Sequence, residues 1–259
     1  MQDLRVSTIQ NVLHWEDEHA NLTMFEKQLA ELANQTDIIV LPEMFNSGFS
    51  MQPNGIAQTM QGSTVLWLQS QAKKLNAAIC ASVAIKEANH FVNRFIFAKP
   101  DGDVEYYDKR HCFRMSGENL VYRSGEQRLV IEYMGWRILP QICYDLRFPV
   151  FSRNQQDYDM MIYVANWPKV RRNPWRTLLQ ARAIENLSYC IGVNRVGHDG
   201  NGIEYSGDSL AIDFKGDITF DHQDEIGIAT NILSLSDLDA FKEKFPAWKD
   251  SDEFALSIS

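Results

Sequence analysis

Three apolar or aromatic β-forming runs in this chain each stop at a residue equipped for covalent chemistry. DIIVLP ends at Glu43, VEYYD at Lys109 and RILPQI at Cys143, while a fourth run, MMIYVA, ends at Asn166-Trp167. In α/β folds ligands bind in the crevice at the carboxyl ends of strands, so side chains distant in sequence can converge there. A carboxylate, an ammonium and a thiol suffice for acyl transfer. The thiolate is the nucleophile and needs a base, a task open to Glu43. A tetrahedral intermediate needs donors at its oxyanion, which Lys109 and the backbone N–H of Tyr144 can supply. The leaving amine needs a proton, which protonated Glu43 can return. None of these steps requires a metal or an organic cofactor. Each residue also has a plainer reading. Glu43 could cap a helix or pair with an arginine, Lys109 could be a solvated member of the run DKRH, and Cys143 could be a core thiol. Cys112 is a rival nucleophile, nearer to Lys109 in sequence but placed after a loop. The ordered combination, more than any single residue, points to catalysis.

Elements able to position these residues are legible along the chain. Arg5–Gln10 reads as a first strand, and the apolar spacing of Leu22, Phe25, Leu29 and Leu32 predicts a helix from about Glu16 to Ala33. Asp37–Leu41 is a short continuous apolar run, the pattern of a strand covered on both faces. Ser63–Leu75 reads as a helix, Ala78–Ile85 and Phe91–Ala98 as strands, and the turn Pro100–Asp103 returns Val104–Tyr107 as a hairpin partner. Gln127–Glu132 and Trp136–Ile142 read as strands joined at Gly135, and Leu146–Asn154 as a helix with Pro149 near its start. A helix there would place Cys143 just before an N-terminus whose dipole favours a thiolate. Asp159–Ala165 is the most apolar strand and Trp175–Leu187 the clearest helix. Ser188–Asn194 follows as a strand, then a Gly/Asn loop at His198–Gly202. Strands at Ser209–Phe214, Asp217–Phe220 and Glu225–Leu233 and a last helix at Ser236–Phe245 complete the pattern. The expected architecture is a single α/β domain over residues 1–259, with a tail from about residue 246 and strands divided between two packed sheets.

Composition excludes several classes. With 45% hydrophobic and 23% charged residues over 259 positions, the chain is neither disordered nor too small for one large core. A net charge of −9 argues against nucleic acid as a partner, which needs a basic face. The nearest candidate for a basic patch, Lys169–Arg172, lies between prolines and reads as a solvated loop. Apolar runs such as Met160–Ala165 are strand-length, so no membrane partner is expected. The start, MQDLRVSTIQ, has no signal-peptide pattern, so the expected location is the cytoplasm, with Cys80, Cys112, Cys143 and Cys190 as free thiols. No cysteine–histidine spacing suggests a metal site.

Three ordered segments, LPEMFNSGF, YYDKRHCF and ILPQICYDLRFP, resemble the nitrilase superfamily of carbon–nitrogen hydrolases over nearly the whole chain, up to about Phe245. The resemblance implies a catalytic triad of Glu43, Lys109 and Cys143. It also implies a second glutamate, Glu118 in SGENLVYRSG, that positions substrate or helps activate water. The fold implied is a four-layer αββα sandwich, and the assembly a homodimer. CYDLRFP, YVANWP and TLLQARAIEN look like the Nit-type bacterial ω-amidases, which release ammonia from small dicarboxylic acid monoamides such as 2-oxoglutaramate or 2-oxosuccinamate. Another amidase, for example one acting on deaminated glutathione, or a nitrilase is the alternative, followed by a catalytically silent binding module. A small-molecule amide carrying a carboxylate calls for a local cation. Arg114 and Arg147 are candidates, although Arg147 is expected to pair with Asp145 or Glu185 and brace the fold. Phe45, Phe113, Tyr144, Asn166 and Trp167 flank the strand ends as candidate pocket walls, with a core role the alternative for the aromatics.

Overall fold

Alternation within short β-branched runs builds two sheets, each buried on both faces. The computed structural model describes residues 3–256. In chain order the strands of the first half are β1 (Leu4–Gln10), β2 (Ile38–Val40), β3 (Ala78–Glu87), β4 (His90–Ala98) and β5 (Val104–Asp108). Those of the second half are β6 (Ile131–Tyr133), β7 (Trp136–Ile142), β8 (Met160–Val164), β9 (Tyr189–Val193), β10 (Val196–His198), β11 (Glu204–Ser206), β12 (Leu210–Ile212), β13 (Ile218–Asp221) and β14 (Gly227–Leu233). The helices are α1 (Glu18–Leu29), α2 (Pro53–Ile56), α3 (Ser63–Leu75), α4 (Glu118–Val121), α5 (Pro149–Ser152), α6 (Arg172–Asn186) and α7 (Leu235–Lys244). One six-stranded sheet runs β14-β1-β2-β3-β4-β5 and the other β13-β12-β9-β8-β7-β6, with β10-β11 a separate hairpin. The centres are parallel, β1 with β2 and β2 with β3 in one sheet, β7 with β8 and β8 with β9 in the other. Antiparallel strands flank both.

Side chains on successive residues face opposite sides of a strand. Ile39, Ile79 and Ile96 pack with Phe25 and Leu29 of α1 and with Leu68, Ala72 and Leu75 of α3. Their neighbours Ile38, Val40, Ala78, Cys80, Phe95 and Phe97 join Ile138, Ile162, Val164 and Ile191 in the layer between the sheets. Trp175, Leu179 and Ala183 of α6 close the far side. The result is the αββα order. All four cysteines are free, and among the described residues no helix is long and apolar enough to cross a membrane.

Three expected elements differ. Leu146–Asn154 is no continuous helix: a 3-10 turn covers Cys143–Arg147 and one helical turn, α5, follows. Pro149 has no N–H and holds Phe148 out of helical geometry (φ −118°, ψ 85°), which splits the segment. The strand expected from Gln127 starts only at Ile131, and Met134 (φ 51°) with Gly135 (φ 81°) forms its hairpin turn to β7. Past His198 the chain does more than loop, since β10 and β11 pair as a hairpin.

The segment after β5 returns tightly along its own start. Gly125 N–H donates to the Lys109 carbonyl at 2.8 Å, and a Cβ at Gly125 would stand 2.1 Å from the Asp108 carbonyl oxygen. That neighbour is backbone and cannot step aside alone. Gly125→Ala should therefore destabilise by about 1–3 kcal/mol, as other overpacking changes do, and shift Lys109 with it. Urea unfolding beside an activity assay checks this; wild-type stability would refute the close approach.

Candidate active site

Each reactive side chain sits at or just beyond the end of a strand. Leu41 continues β2, its N–H donating to the Cys80 carbonyl at 2.9 Å, and Glu43 follows two residues on. Lys109 comes directly after β5, its N–H still bonded to the Asn93 carbonyl of β4 at 2.9 Å. Cys143 comes directly after β7 at φ +46°, a left-handed conformation that costs a non-glycine residue about 1–2 kcal/mol. Such strain is characteristic of sites where the chain must aim one side chain. Asn166 follows β8.

These ends meet around one ammonium. Lys109 Nζ donates to Glu43 Oε1 at 2.9 Å and to Glu118 Oε1 and Oε2 at 2.9 and 3.0 Å. Lys109 and both glutamates are essentially inaccessible, at 1%, 0% and 0% side-chain exposure. Burial works against the lysine charge, but the carboxylates of Glu118 and Glu43 outweigh it and hold the ammonium well above its usual range. Burial raises the Glu118 carboxyl, with Lys109 opposing and Glu43 adding to the rise. Asn93 Nδ2 donates to Glu43 Oε1 at 2.8 Å and reaches Glu118 Oε1 at 3.4 Å. The Asn166 N–H donates to Glu43 Oε2 at 2.7 Å, its side chain donates to the Glu43 carbonyl, and the Phe113 N–H donates to Glu118 Oε2.

The Cys143 sulfur lies 3.9 Å from the Asn166 carbonyl oxygen and within hydrogen-bonding reach of the Glu43 carboxylate. Burial, then the Glu43 charge, pushes this thiol well above its usual value, against the pull of Lys109. The expected lowering by a following helix does not occur, because only a 3-10 turn and a single helical turn follow. The thiol therefore rests protonated beside a base. Cys112, the rival, donates to the Tyr122 carbonyl and accepts from Ser124 instead.

Asp145, fully buried, fastens the lysine segment to the cysteine turn. It accepts from Ile142 N–H at 3.0 Å on its own segment, and from Tyr107 Oη, His111 N–H and His111 Nδ1 at 2.9, 2.9 and 2.8 Å on the other. Over the thiol opens a cavity of about 260 Å³, lined among others by Lys109, Phe113, Cys143, Tyr144, Asn166 and Trp167. Phe45, a candidate wall, lies instead in the core against Phe25 and Trp67. Arg114 is exposed and off the cavity. Arg147 does not pair as expected, since Glu185 is taken by Arg182 and Asp145 by the donors above; it lines the cavity over the Trp167 ring, 5.2 Å from its centroid. Asn93 was not singled out by the sequence, and Arg171, expected in a solvated loop with Lys169–Arg172, instead lines the cavity. A lone amide inside the apolar run FVNRFIF was the available signal for Asn93; Arg171 was hidden in a charge cluster.

The chain as a whole is similar to a known set of proteins. The family model described as carbon-nitrogen hydrolase matches residues 5–243. The chain belongs to the carbon–nitrogen hydrolase family. A relative named Omega-amidase YafV, from Escherichia coli, is 49% identical over 99% of this chain and 100% of its own length. A 2-oxoglutaramate amidase of Bacillus subtilis is 28% identical over 95% of this chain and 96% of its own. Among solved structures, a carbon–nitrogen hydrolase superfamily protein of Xanthomonas campestris, carrying an arsenic adduct in its active site, superposes with a TM-score of 0.97. It is 45% identical and covers 99% of this chain and 100% of that one. The two packed sheets flanked by helices are the fold of this hydrolase family.

Two outcomes follow from the geometry. Asp145→Asn sets an amide N–H₂ against donors and should cost about 1–3 kcal/mol in urea unfolding for each buried donor left without an acceptor, with turnover falling alongside. Unchanged stability would mean these bonds are dispensable. Because the resting thiol is protonated, iodoacetamide modification of Cys143 should accelerate with pH through pH 9 without levelling; a plateau below pH 8 would contradict the raised thiol.

Proposed function

We propose that this carbon–nitrogen hydrolase is an ω-amidase, releasing ammonia from small dicarboxylic acid monoamides such as 2-oxoglutaramate and 2-oxosuccinamate. The observation that carries the chemistry is the buried Lys109 ammonium held between Glu43 and Glu118 beneath a thiol within reach of Glu43. Full-length similarity to ω-amidases supports the substrate class.

Glu43 takes the thiol proton as Cys143 Sγ attacks the amide carbonyl carbon. A raised thiol suits this pairing, because the anion forms only as it is consumed and no solvent-exposed thiolate waits to be oxidised. Lys109 and the Tyr144 N–H hold the oxyanion. Two of the three Lys109 contacts go to the same Glu118 carboxylate, so one N–H can turn to substrate without orphaning either acid. Glu43 returns its proton to nitrogen, the C–N bond breaks and ammonia leaves. Water then attacks the thioester, Glu43 or Glu118 accepts its proton, and the thiol is released with the acid. The family chemistry needs no cofactor at any of these steps.

Cys143→Ala should keep the wild-type melting curve yet release no ammonia from 2-oxoglutaramate, while Lys109→Ala should lose about 3 kcal/mol or more of transition-state stabilisation. Mass spectrometry of the intact protein after brief mixing should find an acyl adduct on wild type alone. Full activity in Cys143→Ala, or its loss in Cys112→Ala with Cys143 intact, would remove Cys143 as nucleophile; ammonia from neutral amides but none from ω-amides would remove the substrate class.

A further inference from the structure

Two of the cations that line the cavity have no ion-pair partner among the described residues. Lys109 is spent on Glu43 and Glu118. Arg147 and Arg171 also line the cavity, and neither has an ion-pair partner among the described residues. Basic residues around them are engaged: Arg172 and Arg176 with Asp208, Lys169 with Glu204, Arg182 with Glu185. Asp199 is the acid found in the lining, and its oxygens already serve the hairpin turn. One accepts from the N–H groups of Asn201 and Ile203 at 2.8 and 2.9 Å, the other from Tyr205 Oη at 2.9 Å. In a chain of net charge −9, two guanidiniums without an ion-pair partner among the described residues thus share one small cavity.

Trp167 organises both. Arg147 lies over its ring, and its Nε1–H donates to the Arg171 carbonyl at 2.7 Å, pinning the turn from which Arg171 projects. The Arg171 guanidinium lies 5.1 Å from the centroid of Phe113. Aromatic faces hold a guanidinium plane without consuming its N–H donors, so both forks stay free for a planar anion.

We propose that Arg171, with Arg147 as a second arm, binds the carboxylate at the end of the substrate remote from the scissile amide. This rests on the ω-amidase reading and adds the residue that selects carboxylate-bearing over neutral amides. Charge-assisted paired hydrogen bonds of this kind change affinity on the order of ten- to a hundredfold. Lysine in place of arginine keeps the charge but loses the fork.

The test measures kcat/KM for succinamate and for butyramide, its neutral counterpart, in wild type, Arg171→Gln and Arg171→Lys. The succinamate-to-butyramide ratio should fall tenfold or more in Arg171→Gln, chiefly through the KM for succinamate, and recover in part in Arg171→Lys. A purely structural role would lower both substrates together and leave the ratio in place, so a ratio within twofold of wild type overturns the assignment. Calorimetric binding of succinamate to Cys143→Ala, with and without Arg171→Gln, gives a second reading, expected to weaken at least tenfold; equal affinity overturns it likewise. If wild type hydrolyses butyramide but no ω-amide, the ω-amidase reading itself has failed. If wild type hydrolyses ω-amides and the ratio does not move, only the role of Arg171 is lost.

Discussion

A lysine ammonium buried to 1% exposure is expensive unless its field is answered locally, and most of the architecture around the cavity is that answer. One carboxylate would balance Lys109; two leave a surplus negative charge that needs donors of its own. The Asn93 amide, the Asn166 N–H and the Phe113 N–H provide them. Contributions thus arrive from the ends of β2, β5 and β8, from the middle of β4 and from the short α4. Withdrawing any one leaves a charge without its partner in a place water does not reach. Burial first, and then the Glu43 carboxylate against the pull of the shared ammonium, keeps the thiol protonated at rest.

This charge cluster also locks the two sheets to each other. Glu43 belongs to the first sheet, yet its second oxygen is held by the backbone that follows β8 in the second. Asp145 belongs to the second sheet, yet most of its hydrogen bonds go to Tyr107 and His111 of the segment leaving the first. Apolar packing between sheets permits small sliding displacements; paired polar bonds in a dry interior do not, since a shift breaks several at once. Nucleophile and base are thus kept within reach of each other across the sheet interface.

Sequence patterning conveyed the strands and their ends because both depend on local signals: β-branched runs, and the first polar residue after them. Two packed sheets were legible in the same way, since the runs Ile38–Leu41 and Met160–Ala165 need cover on both faces, while the four-layer αββα order came from the family resemblance. What stayed hidden was decided by partners distant in the chain. Phe45 could not be told from a pocket wall until Phe25 and Trp67 were seen against it. Arg147 looked like a brace because Asp145 is its near neighbour in sequence, whereas Tyr107 and His111, which claim that acid, come from the segment leaving the other sheet. Arg171 was one cation among several, distinguished only by where the Trp167 indole places its carbonyl. The split helix after Cys143 was foreshadowed by Pro149, whose effect on Phe148 outweighs the apolar spacing around it.

The β10–β11 hairpin stands outside both sheets, and Asp199, Asn201, Ile203 and Tyr205 from it form one wall of the cavity. Every group assigned to bond making and breaking comes from the sheet ends or from the segment after β5. The bond-breaking apparatus and part of the recognition surface are therefore built on separate pieces of chain. Insertions or replacements in the hairpin would leave the buried ions undisturbed. New acyl groups can be accommodated by reshaping that wall while the hydrolytic centre stays unchanged.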